Sequence, residues 1–146
     1  MRWTTVVLTD VNVLVHAHRK DAPQHALCRH WVEAMLASDQ AYGVSELVLS
    51  AFVRIVTHPS IFIPPSTLEQ ALAFASDILT PEHAVPIVPG PRHWEIFETA
   101  CRESKAKGNL IPDAYFAAMA IESGCEWIST DSDYARFPGL TWRRPG

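Results

Sequence analysis

Thr5-Val6-Val7-Leu8-Thr9-Asp10-Val11-Asn12 joins a short β-branched run to an acid. The run is apolar on both faces, the composition of a strand buried inside a parallel sheet rather than one with a wet side. Asp10 therefore falls at the carboxyl end of a first strand, the edge along which α/β sheets carry their sites.

Outward from this strand, helices and strands alternate. Val13, Leu14 and Ala17 begin a short helical stretch that Asp21-Ala22-Pro23 breaks, and a second helix runs from about His25 to Ala37 on an apolar stripe of Leu27, Trp31, Ala34 and Met35. Tyr42-Gly43-Val44 reads as a short strand. Ser45 is then placed to cap a helix carrying Glu46 in its first turn, with Val48, Phe52, Ile55 and Val56 facing inward. His58-Pro59 ends that helix. Pro64-Pro65 and the box Ser66-Thr67-Leu68-Glu69 start a fourth, carrying Leu72, Ala75 and Leu79. Val85-Pro86-Ile87-Val88 is the next strand, and Pro91 opens a helix with Trp94, Phe97 and Cys101 on one face that stops at Gly108. Pro112 suits a first helical position, which puts Asp113 in the first turn of a helix reaching Gly124 through Ala117, Ala118 and Ile121. Trp127-Ile128-Ser129 is a further buried strand, delivering Asp131 beyond its end, and Leu140-Thr141-Trp142 makes a last short one. No repeat, low-complexity tract or linker interrupts the order. The fold expected is α/β, a single domain over residues 1–146 with a mostly parallel central sheet and helices on both faces.

Four acids, Asp10, Glu46, Asp113 and Asp131, thus sit at strand ends or helix starts far apart in sequence. Carboxylates gathered in one cleft repel one another, and a divalent cation is the usual means of neutralising them. The set points to metal-assisted phosphoryl chemistry. Singly, each has a plainer reading: Glu46 and Asp113 complement a helix dipole, and Asp10 caps the helix that follows. What favours a site is the polar density immediately after two buried strands, Asp10-Val11-Asn12 and Ser129-Thr130-Asp131-Ser132-Asp133-Tyr134. Asn12 serves equally as a hydrogen-bond partner of an acid or phosphate or as a turn former, and Ser129 has the same two readings.

Composition narrows the rest. At 146 residues, with 48% hydrophobic and 19% charged residues, the chain is long enough for one core and too apolar for disorder. Three cysteines, Cys28, Cys101 and Cys125, lack paired spacing and read as buried free thiols of a reducing cytoplasm. The start of the chain lacks a signal-peptide pattern, and no run approaches the ~18 apolar residues of a membrane span, so neither export nor membrane insertion is expected. A net charge of −4 argues against gripping nucleic acid through bulk positive charge. Arg102, Lys105 and Lys107, and near the end Arg143 and Arg144, are either local phosphate contacts or solvated helix and strand ends. Seven histidines include His16, His18, His25 and His30, but His-x-His on a helix points its rings apart and no Cys pair completes a zinc set. Cys28 has no neighbour that would activate a thiolate. Trp31, Trp94 and Trp127 match core periodicity, whereas Trp3 and Trp142 read as partly exposed.

Read together, Asp10 with Asn12, Ser45-Glu46 opening a helix, Pro112-Asp113-Ala114 opening an alanine-rich helix, and Ser129-x-Asp131-x-Asp133-Tyr134 followed by Phe137-Pro138-Gly139-Leu140 resemble the PIN-domain ribonucleases, and within them the VapC toxins of VapBC toxin–antitoxin pairs. The resemblance spans nearly the whole chain. Two departures are mild: Ser129 where Thr is commoner, and Tyr134 where Phe is commoner. The resemblance implies a Mg²⁺- or Mn²⁺-dependent endoribonuclease that leaves a 5′-phosphate. Asp10 and Asp113 are then the firmest metal ligands, with Glu46 and Asp131 completing the catalytic pocket, Asp133 acting through water, and Asn12 and Ser129 supporting. It further implies an RNA substrate, a homodimer, and a small VapB-like antitoxin whose C-terminal segment reaches the pocket. The apolar helices from Ser45 to Leu79, Phe52 among them, are expected to line that groove and the dimer interface. Two other functions compete. A haloacid-dehalogenase-like phosphatase needs a second Asp where this chain has Asn12. A catalytically inactive PIN module that binds RNA or a protein would not need the full acidic set that is present.

Overall fold

The computed structural model describes residues 5–146, so the expectation for Trp3 lies outside the described residues. Five strands, β1 (Val7–Thr9), β2 (Tyr42–Val44), β3 (Ala84–Pro86), β4 (Glu126–Ile128) and β5 (Trp142–Arg143), alternate with helices α1 (Val11–His18), α2 (His25–Ala37), α3 (Glu46–Val56), α4 (Leu68–Leu79), α5 (His93–Ser104) and α6 (Leu110–Ser123). A single 3-10 turn, Ser132–Arg136, follows β4. The strands form one sheet in the order β3-β2-β1-β4-β5, and every pairing is parallel. The α/β architecture expected from the alternation is therefore the one present, and it is wholly rather than mostly parallel.

The order explains where a cleft opens. From β1 the chain winds outward to β2 and β3, then returns across the sheet to β4 and continues to β5. Right-handed crossovers put the helices of the two halves on opposite faces, and a crevice forms at the strand ends where the direction reverses, between β1 and β4. In the register, Thr9 faces Ile128, so Asp10 and Ser129 emerge side by side at that crevice.

The core explains why such short strands persist. Val7, Leu8, Trp127 and Ile128 are sealed on both faces, and Trp31 and Met35 of α2, Phe52 of α3 and the alanines 114, 117, 118 and 120 of α6 close over them. Small residues let α6 lie close to the sheet, with Phe116 stacking on Trp127 at 5.7 Å between centroids.

Several boundaries differ from the sequence expectation for identifiable reasons. The box that starts α4 is Thr67 with Gln70, one residue later than Ser66 with Glu69, because the Ser66 hydroxyl is already engaged by His18 Nε2 at 3.0 Å and Arg19 Nη1 at 3.1 Å. Helix α6 begins at Leu110, which makes Pro112 its third residue rather than its first. The missing N–H costs nothing at either place, since the first four amides of a helix have no internal acceptor. Helix α5 ends at Ser104, short of Gly108, with Lys105 in the left-handed region at φ 53°. Trp94, expected in the core, is 63% exposed. The inward face of α5 is centred instead on His93 and Ala100, and His93 Nε2 meets the Tyr115 carbonyl at 2.9 Å. Trp142 is half-buried, as expected. The strands β3 and β5 each shift by one or two residues from the expected Val85–Val88 and Leu140–Trp142. Phe52 is fully buried and so lines no groove.

Candidate active site

Asp10 is the residue that caps α1, accepting the Val11 amide at 2.6 Å. Capping alone would leave its second oxygen idle, and here that oxygen accepts the Ser129 hydroxyl at 2.7 Å and the Asn12 amide at 3.2 Å. The Ser129 hydroxyl in turn accepts from Asn12 Nδ2 at 3.2 Å and from the Asp131 backbone amide at 3.0 Å. One donor and two acceptor positions exhaust a hydroxyl, so Ser129 is fully committed, and it is wholly buried. Asn12 Oδ1 accepts the Thr130 amide at 3.3 Å. Of the two readings left open for Asn12 and Ser129, both therefore support the acid: together they stitch the ends of β1 and β4 into one rigid edge.

The remaining acids arrive from other elements. Asp113 comes from the first turn of α6, and Asp131 and Asp133 from the turn after β4, where Asp131 Oδ1 accepts the Asp133 amide at 2.9 Å. One carboxylate oxygen from each of Asp113, Asp131 and Asp133 lies within 4.8 Å of the others. Tyr134 rises beneath them, almost fully buried, and donates its hydroxyl to Asp113 Oδ1 at 3.2 Å. Its role was not legible from sequence beyond its place in the closing motif, because a buried tyrosine next to acids looks like any core aromatic until its hydroxyl is located.

The electrostatics match a site whose charge is incompletely balanced. Burial pushes Asp10 up to about 7, against the lowering effect of its bonds from Ser129 and Val11, and Asp113 and Asp131 push it further in the same direction. Asp113 is also raised, first by burial and then by Asp131 and Asp133. The Tyr134 hydroxyl is raised by burial and by the negative charge of Asp10, Asp113 and Asp131. Carboxylates held at such cost in one crevice are what a divalent cation relieves. The donor set fits: all ligating atoms are hard oxygens, which suit Mg²⁺ or Mn²⁺ rather than zinc. The closeness of Asp113, Asp131 and Asp133 makes this end of the crevice the place where a cation would be held.

Glu46 stands apart from this cluster. It follows Ser45, whose hydroxyl caps α3, at the end of β2 beside β1. Leu8 pairs with Gly43, which sets Ser45 level with Asp10, but the Glu46 carboxylate is exposed and is not among the grouped acids.

A family model described as the PIN domain matches residues 7–140. Ribonuclease VapC25 of Mycobacterium tuberculosis is 42% identical over 138 residues, covering 94% of this chain and 97% of that protein. Ribonuclease VapC31 of the same species is 41% identical over 138 residues, with the same coverage of both chains. Among solved structures, a chain in the crystal structure of VapBC2 from Rickettsia felis, bound to a DNA fragment from their promoter, superposes with a TM-score of 0.70 at 16% identity, covering 97% of this chain and 99% of that one.

Proposed function

Because the chain belongs to the PIN-domain family and to its VapC ribonucleases, we infer that it is the toxin of a type II toxin–antitoxin module, an endoribonuclease that hydrolyses RNA phosphodiester bonds at the crevice between β1 and β4. The observation that carries this reading is the convergence of three segments on the edge where the sheet reverses direction: Asp113 groups with Asp131 and Asp133, and Asp10 feels the charge of Asp113 and Asp131.

Asp10, Asp113 and Asp131 are the residues that would hold a divalent cation, with Asp133 through water and Glu46 closing the pocket from the end of β2. When bound, Mg²⁺ or Mn²⁺ supplies positive charge for the scissile phosphate and acidifies water beside it. The chain's own residues do the positioning. Ser129 and Asn12 fix the rotation of Asp10 by donating to the same oxygen, and such bonds favour the ionised form against the opposing effect of burial. Tyr134 aims Asp113. The backbone between Ser129 and Asp133 is pinned at Thr130, Asp131 and Asp133, so the acids do not need to reorganise when substrate arrives.

Within the stretch from Ser45 to Leu79 expected to form the partner surfaces, α4 offers both faces. A furrow lies between α4 and the pair α1–α2, formed by two adjoining cavities of about 600 and about 270 Å³ that share His18, Phe74 and Asp77. This furrow would take the C-terminal segment of a small VapB-like antitoxin, and a basic residue of that segment in the acidic crevice would substitute for the cation. Leu68, Leu72 and Leu79 form an exposed apolar stripe along α4, the surface for a second copy of the chain.

Cleavage of total cellular RNA by the purified protein tests the reading, with Mg²⁺, with Mn²⁺ and with EDTA, alongside Asp10→Asn and Asp113→Asn. Site-selective cuts that need the metal and vanish in both variants are expected. Well-folded, antitoxin-free protein that cuts no RNA under any of these conditions would leave an inactive binding module as the better account.

A further inference from the structure

The carboxyl edge of the sheet carries one more residue than the acids account for. Leu8 pairs with Trp127 and Trp127 pairs with Trp142, so Asp10, Ser129 and Arg144 fall in one row, each a step beyond its strand. Two strand spacings put Arg144 Cα about 10 Å from Asp10 Cα, within reach of an extended arginine side chain directed along the edge.

The guanidinium is held there. Arg144 Nη1 donates to the Thr130 carbonyl at 2.6 Å, between Ser129 and Asp131. Its guanidinium carbon lies 5.9 Å from the centre of the Trp142 ring, and that ring is itself anchored, Nε1 donating to the Ser129 carbonyl at 3.1 Å. Consecutive carbonyls of the acid-bearing loop thus hold an indole and a guanidinium side by side. Arg143, next in sequence, is spent on Glu126 at 2.9 Å and on the face of Trp31. Arg136 stands 4.0 Å from Asp133, and Arg102 is paired with Glu98. Arg144 has no carboxylate within 4.0 Å among the described residues and is exposed. One carbonyl uses one of five guanidinium donors, which leaves a planar fork free at the rim of an acidic crevice. In a chain of net charge −4, attraction for a polyanion has to be local, and contacts to phosphates set the register of a strand rather than its sequence.

We propose that Arg144 is a substrate-positioning residue, whose guanidinium, held by the Thr130 carbonyl and the Trp142 ring, binds an RNA phosphate flanking the scissile one. Trp142 acts through Arg144, keeping it on the loop that carries Asp131. This rests on the ribonuclease reading above.

The test compares the full-length protein with Arg144→Ala, Arg144→Lys and, as a control on an exposed arginine already paired, Arg102→Ala. Cleavage kinetics on total cellular RNA are followed across a series of KCl concentrations, and binding of fluorescein-labelled oligouridine is followed in EDTA. For Arg144→Ala, KM is expected to rise roughly tenfold, the worth of one charge-assisted contact, with the loss falling on KM rather than kcat. The salt dependence of binding should become shallower by about 0.7 in the log–log slope, the value for one phosphate on a single strand. Arg144→Lys should restore the slope and part of the affinity, and Arg102→Ala should change neither. Wild-type protein that cuts RNA while Arg144→Ala keeps the same KM and salt slope overturns the role of Arg144 and leaves the ribonuclease reading standing. If the wild type cuts nothing, that reading fails, and binding in EDTA decides separately: a weaker, shallower titration for Arg144→Ala supports the contact, and equal binding or none overturns it.

Discussion

Ser129 shows how much of the site rests on one hydroxyl. It is buried and makes three hydrogen bonds, to Asp10, from Asn12 and from the Asp131 amide. Ser129→Ala would leave a buried carboxylate oxygen short of a donor, worth about 1–3 kcal/mol, and the partly buried Asp131 amide short of an acceptor. Cleavage is expected to fall at least tenfold and melting to drop by several degrees, whereas Ser129→Thr, which keeps the hydroxyl, should retain most activity; loss of both properties in the Thr variant would mean that space, not bonding, governs the position. Asp113 behaves oppositely. Burial and the neighbouring Asp131 and Asp133 disfavour its charge, so Asp113→Asn should abolish cleavage yet raise the melting temperature in EDTA, by about 2–4 °C for each kcal/mol of repulsion removed in a chain of this size. Added Mg²⁺ should then stabilise the wild type more than the variant. Calorimetry with and without metal checks both halves, and an Asp113→Asn protein that melts lower in EDTA would make that acid structural.

At the level of elements, what could be read in the sequence was whatever local periodicity and strand ends encode. Asp10 and Asp131 were legible because a short two-sided apolar run announces a buried strand and the acid follows it. Helix α2 and strand β2 fall on the expected residues for the same reason. Features made by long-range contacts were not legible. The Glu122 carboxylate accepts the Gly90 and Arg92 amides at 2.7 and 2.9 Å, closing the start of α5 from the end of α6, and no local pattern encodes that. Ser66 lost its capping role to His18 and Arg19 for an equally distant reason. His18 also yields a pH prediction. It sits edge-on to Phe52 and Phe74, at 5.4 and 5.0 Å, where α1 meets α3 and α4. Arg19, Lys20, Asp21 and Asp77 share the cavity it lines. Burial, and secondarily Arg19, hold its proton affinity below the ordinary 6.5. The folded state therefore binds the proton less readily than the unfolded chain. The stability contributed by the neutral ring is complete above pH 6.5 and is lost as pH falls from there through the lower folded value. The stability gap between wild type and His18→Gln should accordingly narrow from pH 7.5 to 5.5 in chemical denaturation. A gap that stays constant would show that the ring titrates as it does in the unfolded chain.

For the molecule as a whole, α4 has two different surfaces, one for each of the two partners proposed above. At 100° per residue, Leu68, Leu72, Ala75 and Leu79 fall within about 60° of one another, while Ala73, Phe74 and Asp77 lie on the far side, about 180° away. Leu68, Leu72 and Leu79 of the first set are the exposed apolar stripe, with Ala75 half-buried beside them, and the second set lines the furrow against α1 and α2. Between them, Ala71 and Ile78 are buried against the body of the protein, so the helix is gripped along one flank and open on two others. A second copy on the stripe and an antitoxin segment in the furrow would therefore not compete, and each can be removed without the other. Leu72→Asp puts a charge in the middle of the stripe, where burying it without a partner costs several kcal/mol, and should convert the dimer to monomer in sedimentation while calorimetric titration with the cognate antitoxin changes little. Ala73→Arg projects bulk and charge into the furrow from an exposed position and should weaken antitoxin binding at least tenfold while the sedimentation of the free toxin is unaltered. RNA cleavage by antitoxin-free protein should survive Ala73→Arg, since the furrow residues are not those of the acidic crevice. If Leu72→Asp abolished antitoxin binding as well, the two surfaces would be one composite interface and the antitoxin would be recognised only by the paired toxin. If the wild type sedimented as a monomer at every concentration, the stripe would have to be assigned to the antitoxin instead.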